Sequence, residues 1–257
     1  MESSYRLVQR PFAGAFAIME HTVKSFEQEL QRLSSLISQM GGIAEAQLKG
    51  ALDALVRRDM ALAARVMAGD QQLDEHERTI EQNTVHMLAL RQPMAIDLRE
   101  ILAALKISTD LERIGDLAAN IAKRATALAQ LPPVALTGSV PRMGHIVEEM
   151  LRDVLDAYID RDVAKAVGAW QRDRDLDQLY SSLFQDILAL MMEDPRNSTP
   201  CAHLLFIAKN LERAGDHATN VAETVYFLVK GTNLPGSRPK GDETSFTIVS
   251  PASAHAS

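Results

Sequence analysis

The segment Asp110-Leu111-Glu112-Arg113-Ile114-Gly115-Asp116 returns one hundred positions later as Asn210-Leu211-Glu212-Arg213-Ala214-Gly215-Asp216, and each copy leads four residues on to an asparagine, Asn120 or Asn220. Over the eleven aligned positions, seven are identical. The likeness runs upstream. Met40-Gly41 aligns with Met143-Gly144 at an offset of 103, Glu45 with Glu148, and Leu52-Asp53-Ala54 with Leu155-Asp156-Ala157. Arg58-Asp59 then meets Arg161-Asp162, and Asp70, Leu73 and Asp74 meet Asp173, Leu176 and Asp177. At Leu88-Ala89-Leu90 and Leu188-Ala189-Leu190 the offset is 100, so the second copy is three residues shorter between Asp177 and Leu188. A duplication on this scale constrains the fold more than any other feature: the chain is two homologous halves.

Each half reads as helix throughout. Val23, Phe26, Leu30, Leu33, Ile37 and Met40, continued by Ile43, Leu48, Leu52 and Leu55, recur at three- and four-residue steps, which predicts a long amphipathic helix from about Ala17 to Arg58. Gly41-Gly42 would weaken its middle by about 1 kcal/mol per glycine. Asp59 is placed to cap a second helix running to about Leu90, and Pro93 to open a third running from about Met94 to Leu128. The Pro/Gly-containing stretch from Leu131 to Ser139 separates the halves. The plan then repeats: a helix over Val140–Asp160, Asp162 as cap, a helix to about Met192, a turn through Glu193 to Asn197, and a helix to Lys230.

Long helices joined by short turns fold back on one another. The expected fold is all-α: two tandem homologous antiparallel three-helix bundles. Residues 1–15 form an irregular N-terminus, 16–130 the first bundle, 131–139 a linker and 140–231 the second bundle. The Pro-, Gly- and Ser-rich stretch 232–257 is a mobile tail, in which Thr244–Val249 has the composition of a short docking strand.

Composition narrows the function. A net charge of −7 argues against a nucleic-acid binder. One cysteine, Cys201, leaves no internal disulfide and points to a reducing compartment. The apolar run Phe12–Met19 is too short to span a bilayer. A cytoplasmic protein is expected.

The carboxylates carry the chemistry. Residues four apart share a helix face, so Asp70 pairs with Asp74, Glu112 with Asp116, Asp173 with Asp177, and Glu212 with Asp216. Like charges at this spacing cost about 0.2–0.5 kcal/mol per pair. With the hairpin turning near residues 91 to 93, Asp70 and Asp74 lie level with the Glu112/Asp116 pair, and Glu45 on the first helix falls near the same height. Glu148 stands likewise beside Asp173, Asp177, Glu212 and Asp216. About five carboxylates from three helices would then gather in each bundle. They would need a cation, nearby arginines, or splaying into water. An oxygen-rich set suits Mg, Mn or iron; the competing reading is a solvated face with Arg113 and Arg213 pairing locally. Gly115 and Gly215, inside helices, imply that space is needed there, for a close neighbouring helix or for a ligand beside the carboxylates. No Glu-x-x-His pairs of the ferritin-like oxidases, Walker-type glycine loop or Ser-His-Asp signature is present.

These residues resemble the PhoU family. Met40-Gly41-Gly42, Gln92-Pro93-Met94-Ala95-Ile96-Asp97-Leu98-Arg99, Leu111 to Asp116, Met191-Met192-Glu193-Asp194-Pro195-Arg196 and the run from Leu204 to Val225 carry the likeness, over about residues 20 to 231. The resemblance implies two three-helix bundles and no catalytic activity. Its acidic motif falls on Glu112/Asp116 and Glu212/Asp216, where some members carry multinuclear metal clusters, iron first with Mg, Mn or Zn as alternatives, and others none. It also implies a cytoplasmic negative regulator of phosphate uptake and of the phosphate-starvation response. Such a protein is an adaptor between the ATPase subunit of the phosphate ABC transporter and the phosphate-sensing histidine kinase, homodimeric, meeting the membrane only through partners. The alternatives are a metal-free structural adaptor and a carboxylate-bridged metal oxidase.

Overall fold

The computed structural model describes residues 12–91, 93–134, 138–236, 238, 240–242 and 244, with residues 12–23 as backbone alone. Six helices follow in order: α1 (Phe12–Arg57), α2 (Met60–Arg91), α3 (Ala95–Leu128), α4 (Val140–Asp160), α5 (Val163–Glu193) and α6 (Ser198–Lys230), with a 3-10 turn over Pro195–Asn197 before α6. Among the described residues there is no strand. Helices α1–α3 form one bundle and α4–α6 the other, and α3 against α6 and α1 against α4 join the two.

Both short turns are built alike. Asp59 Oδ1 accepts from the Leu62 amide at 2.9 Å and Asp162 Oδ1 from the Lys165 amide at 3.0 Å, so each aspartate satisfies a first-turn N–H. The residues before them, Arg58 (φ 54°) and Arg161 (φ 56°), take the left-handed conformation that reverses the chain. Arg58 Nη2 then donates to the carbonyl oxygens of Ala129 and Leu131, tying the turn to the end of α3.

One expectation is corrected. Residues 12–15, read as irregular, belong to α1, which starts at Phe12. A proline just ahead of the first turn is compatible with helix initiation, where only an interior one breaks it. Residues 1–11 lie outside the described residues. Gly41-Gly42 does not interrupt α1. Gly41 is a notch: a Cβ there would meet Leu155, and one at Gly144 would meet Leu52. Gly144 is the counterpart of Gly41 and Leu155 that of Leu52, so α1 and α4 interlock through the same pair used twice. Gly115 and Gly215 work in the same way within each bundle, admitting Leu73 and its counterpart Leu176. The core is one continuous apolar cluster running through both halves. Cys201 lies inside it, and burial pushes its thiol up.

Much of the expected tail also lies outside the described residues. Its described part does not point away: Leu234 packs against the core, and Arg238, Gly241 and Asp242 lie on the second bundle.

Candidate functional site

Helices α2 and α3 carry the acidic face of the first bundle. Burial raises the Asp70 carboxyl, helped by Asp116 and Asp74 beside it. Glu112 is pushed up to about 7, first by burial and then by Asp116, with Glu77 and Asp74 adding and Arg113 opposing. The four carboxylates expected from α2 and α3 therefore share one field, joined by Glu77, which the i,i+4 count had no reason to include. Local cations relieve it: Arg113 Nη1 lies 3.2 Å from Asp116 Oδ2, Arg113 Nε 3.4 Å from Glu112 Oε2, and Arg78 Nη2 3.6 Å from Asp74 Oδ2. Most of these side chains stay partly exposed, so the pairs are weak contributors to stability.

The second bundle's face, on α5 and α6, is the counterpart, and it is more deeply buried. Asp173, Asp177 and Glu212 are 1%, 3% and 6% exposed. Burial raises Asp177, with Asp173, Asp216 and Asp242 adding to it and the Gly241 amide opposing. Burial likewise raises Glu212 against the pull of Lys209, whose Nζ lies 2.8 Å from Glu212 Oε2. The Thr219 hydroxyl is shared between Gly215 O at 2.9 Å and Asp173 Oδ1 at 3.2 Å.

Here the counter-charge comes from beyond the helices. Arg238 Nε donates to Asp173 Oδ2 at 2.9 Å, while its Nη2 lies 3.3 Å from Asp173 Oδ1 and 2.5 Å from Asp216 Oδ1. Three residues on, the Gly241 amide donates to Asp177 Oδ2 at 2.7 Å. No local pattern signals this contact, because the arginine sits in a stretch whose composition reads as tail.

Glu45 and Glu148 are not part of these faces, which corrects the expectation that each bundle gathers five carboxylates from three helices. Burial raises Glu45, and the charged groups around it are Arg152, Asp156 and Glu148. Glu45 and Glu148 line a cleft with Arg152 where α1 meets α4. Turn positions fix the height of a residue along a bundle but not its direction around the helix. Asn220 also points elsewhere: its Nδ2 donates to Asp110 Oδ1 at 3.1 Å, and His217 Nδ1 lies 2.9 Å from the same oxygen, across the α3/α6 contact. Asn120 is exposed.

Among the described residues no three His, Cys, Asp or Glu side chains are grouped so as to hold a metal ion. On the second face the Arg238 guanidinium lies between Asp173 and Asp216. Both faces bind cationic groups by charge and hydrogen bonding, as their arginines show. Among the described residues no helix is long and apolar enough to cross a membrane.

The family model described as "PhoU domain" matches this chain twice, at residues 37–125 and 140–225. The "Phosphate-specific transport system accessory protein PhoU homolog" of Caulobacter vibrioides (strain NA1000 / CB15N) is 51% identical over 227 residues, covering 88% of this chain and 99% of its own. The homolog of the same description in Rhizobium meliloti (strain 1021) is 47% identical over 226 residues, covering 88% and 95%. Among solved structures, PhoU from Pseudomonas aeruginosa superposes with a TM-score of 0.78 at 38% identity, covering 80% of this chain and 100% of that one. The phosphate transport system regulatory protein PhoU from Streptococcus pneumoniae gives a TM-score of 0.74 at 29% identity, covering 82% and 99%.

Proposed function

The chain belongs to the PhoU family, and from that premise we propose that it is an accessory protein of phosphate transport that restrains uptake when phosphate is plentiful. It acts in the cytoplasm as an adaptor, holding the ATPase subunit of the phosphate ABC transporter and the sensor histidine kinase in their phosphate-replete states, and works as a homodimer. The observation that carries this reading is the doubled acidic face. A single chain presents two related charged surfaces, one per bundle, on a rigid scaffold with a shared core, which suits a protein that contacts partners rather than one that turns over a substrate. Exposed apolar side chains at the α2–α3 turn, Leu90, Met94 and Ile96, offer a further contact surface.

The test is genetic. A strain lacking this chain should express alkaline phosphatase and take up phosphate without restraint in high-phosphate medium. Repressed phosphatase with unchanged uptake would count against the regulatory reading.

A metal-bearing form of the same reading rests on the first face, where Asp70, Asp74, Glu112 and Asp116 crowd one another and a bound cation would relieve the repulsion. Elemental analysis of protein purified without chelators or a metal-affinity tag separates it from a metal-free adaptor. Stoichiometric metal lost with Glu112→Ala and Asp116→Ala would support it, and a metal-free protein would refute it.

A further inference from the structure

Helix α6 ends at Gly231, whose φ of 73° and amide N–H, donated to the Phe227 carbonyl oxygen, close the helix and turn the chain. The chain then goes back. From Asp216 to Lys230 the helix rises about 21 Å at ~1.5 Å per residue. Seven residue-to-residue steps lead from Gly231 to Arg238, and a nearly extended chain covers about 23–25 Å over that length. The return is therefore just long enough to bring Arg238 to Asp216. What it meets there is specific. The guanidinium spans Asp173 and Asp216, one on each helix of the face, and Arg238 is only 19% exposed. Gly241 gives its amide to Asp177, and a Cβ at this glycine would sit 3.2 Å from Asp177 Cβ and 3.3 Å from the Arg174 carbonyl oxygen. Asp242 Oδ2 lies 3.4 Å from Lys209 Nζ. A forked cation, a close backbone amide three residues on and an acidic side chain after it thus meet two carboxylates, a third carboxylate and a lysine in order.

We infer that Arg238, Gly241 and Asp242 form a built-in, displaceable ligand of the second acidic face, and that the external ligand of this face is an arginine-bearing segment of a partner protein that competes with Arg238. The inference rests on the reading of the acidic faces as contact surfaces, and its test needs no transporter or kinase. The occupant is argued from the face itself. A planar guanidinium can bond two carboxylates at once, which a lysine ammonium does less well, and Asp173 and Asp216, which share one guanidinium, lose the counter-charge that relieves their repulsion when the segment leaves. Tethering holds the internal ligand at an effective concentration in the millimolar range, so a partner engages only when its own segment binds strongly enough to overcome that competition. The first face has no such cover among the described residues, where Arg78 and Arg113 are its paired cations. The two faces of one chain are thereby set apart, one standing open and the other gated.

The experiment uses the full chain and a labelled synthetic peptide with the sequence of residues 232–244, read by fluorescence anisotropy. Arg238→Ala protein should bind the peptide at least ten-fold more tightly than the unaltered chain, and adding Asp173→Asn and Asp216→Asn should remove that gain. Hydrogen exchange checks the internal contact independently: the Gly241 amide should be protected in the unaltered chain and exchange at least ten-fold faster in Arg238→Ala. Equal peptide binding by the two proteins, no binding by either, or a gain that survives the aspartate substitutions would overturn the inference. So would an Arg238→Ala protein that takes up Mn2+ at Asp173 and Asp216 while ignoring the peptide. Failure here leaves the genetic test of phosphate regulation untouched.

Discussion

Glu112 shows how much one side chain can report. Its carboxyl moves from an ordinary 4.5 to about 7, first through burial and then through Asp116. The folded protein thus holds the proton more tightly than the unfolded chain does. The linkage follows: the stability tied to this group is greatest below about pH 4.5, declines as pH rises and is gone above about pH 7. Urea unfolding of Glu112→Gln and the unaltered chain at pH 5 and pH 8 should show the variant gaining relative stability at the higher pH, and a gap that stays constant with pH would refute this. Gly115 and Gly215 are tight in another way, since Leu73 and Leu176 occupy the space a side chain would need. Gly115→Val should cost about 1–3 kcal/mol by overpacking, read as a lower urea midpoint with an unchanged slope. Both glycines and the four i,i+4 carboxylate pairs were legible in the sequence, because spacing on a helix is enough to place them. The direction of Glu45 was not legible, because it depends on how α1 is rotated against α4.

The helices were legible because their punctuation is strong. Asp59 and Asp162 sit where capping predicts, and each bonds the amide three residues on. Asp162→Ala should therefore cost about 1 kcal/mol, measured by thermal or urea unfolding, with Asp59→Ala behaving alike; a change within error at both positions would mean that the caps are incidental. The start of α1 was misread for the opposite reason, since a proline can open a helix as well as break one. The segment after α6 was read as tail because its own composition gives it nothing to fold against. Its order comes from carboxylates roughly sixty residues away in sequence, as in the pairing of Arg238 with Asp173, and no local pattern records such a partner.

At the scale of the whole molecule, duplication produces two acidic faces, and divergence makes them unequal. The pseudo-symmetric interlock of Gly41 with Leu155 and Gly144 with Leu52 fixes how the bundles sit, so both faces are carried on one body. One position that breaks the symmetry lies at the second face. Lys209, which pairs with Glu212 and Asp242, has Thr109 as its counterpart one hundred residues earlier. The most direct measurement is a pull-down from phosphate-replete cells with the intact chain and with a form carrying Asp70→Asn, Glu112→Gln and Asp116→Asn, quantifying the transporter ATPase subunit and the sensor kinase. The intact chain should retain both, and the neutralised form, with its helical circular dichroism unchanged, should lose at least one of them ten-fold or more. Equal recovery of both partners by the two proteins would contradict the acidic faces as the surfaces through which this protein works.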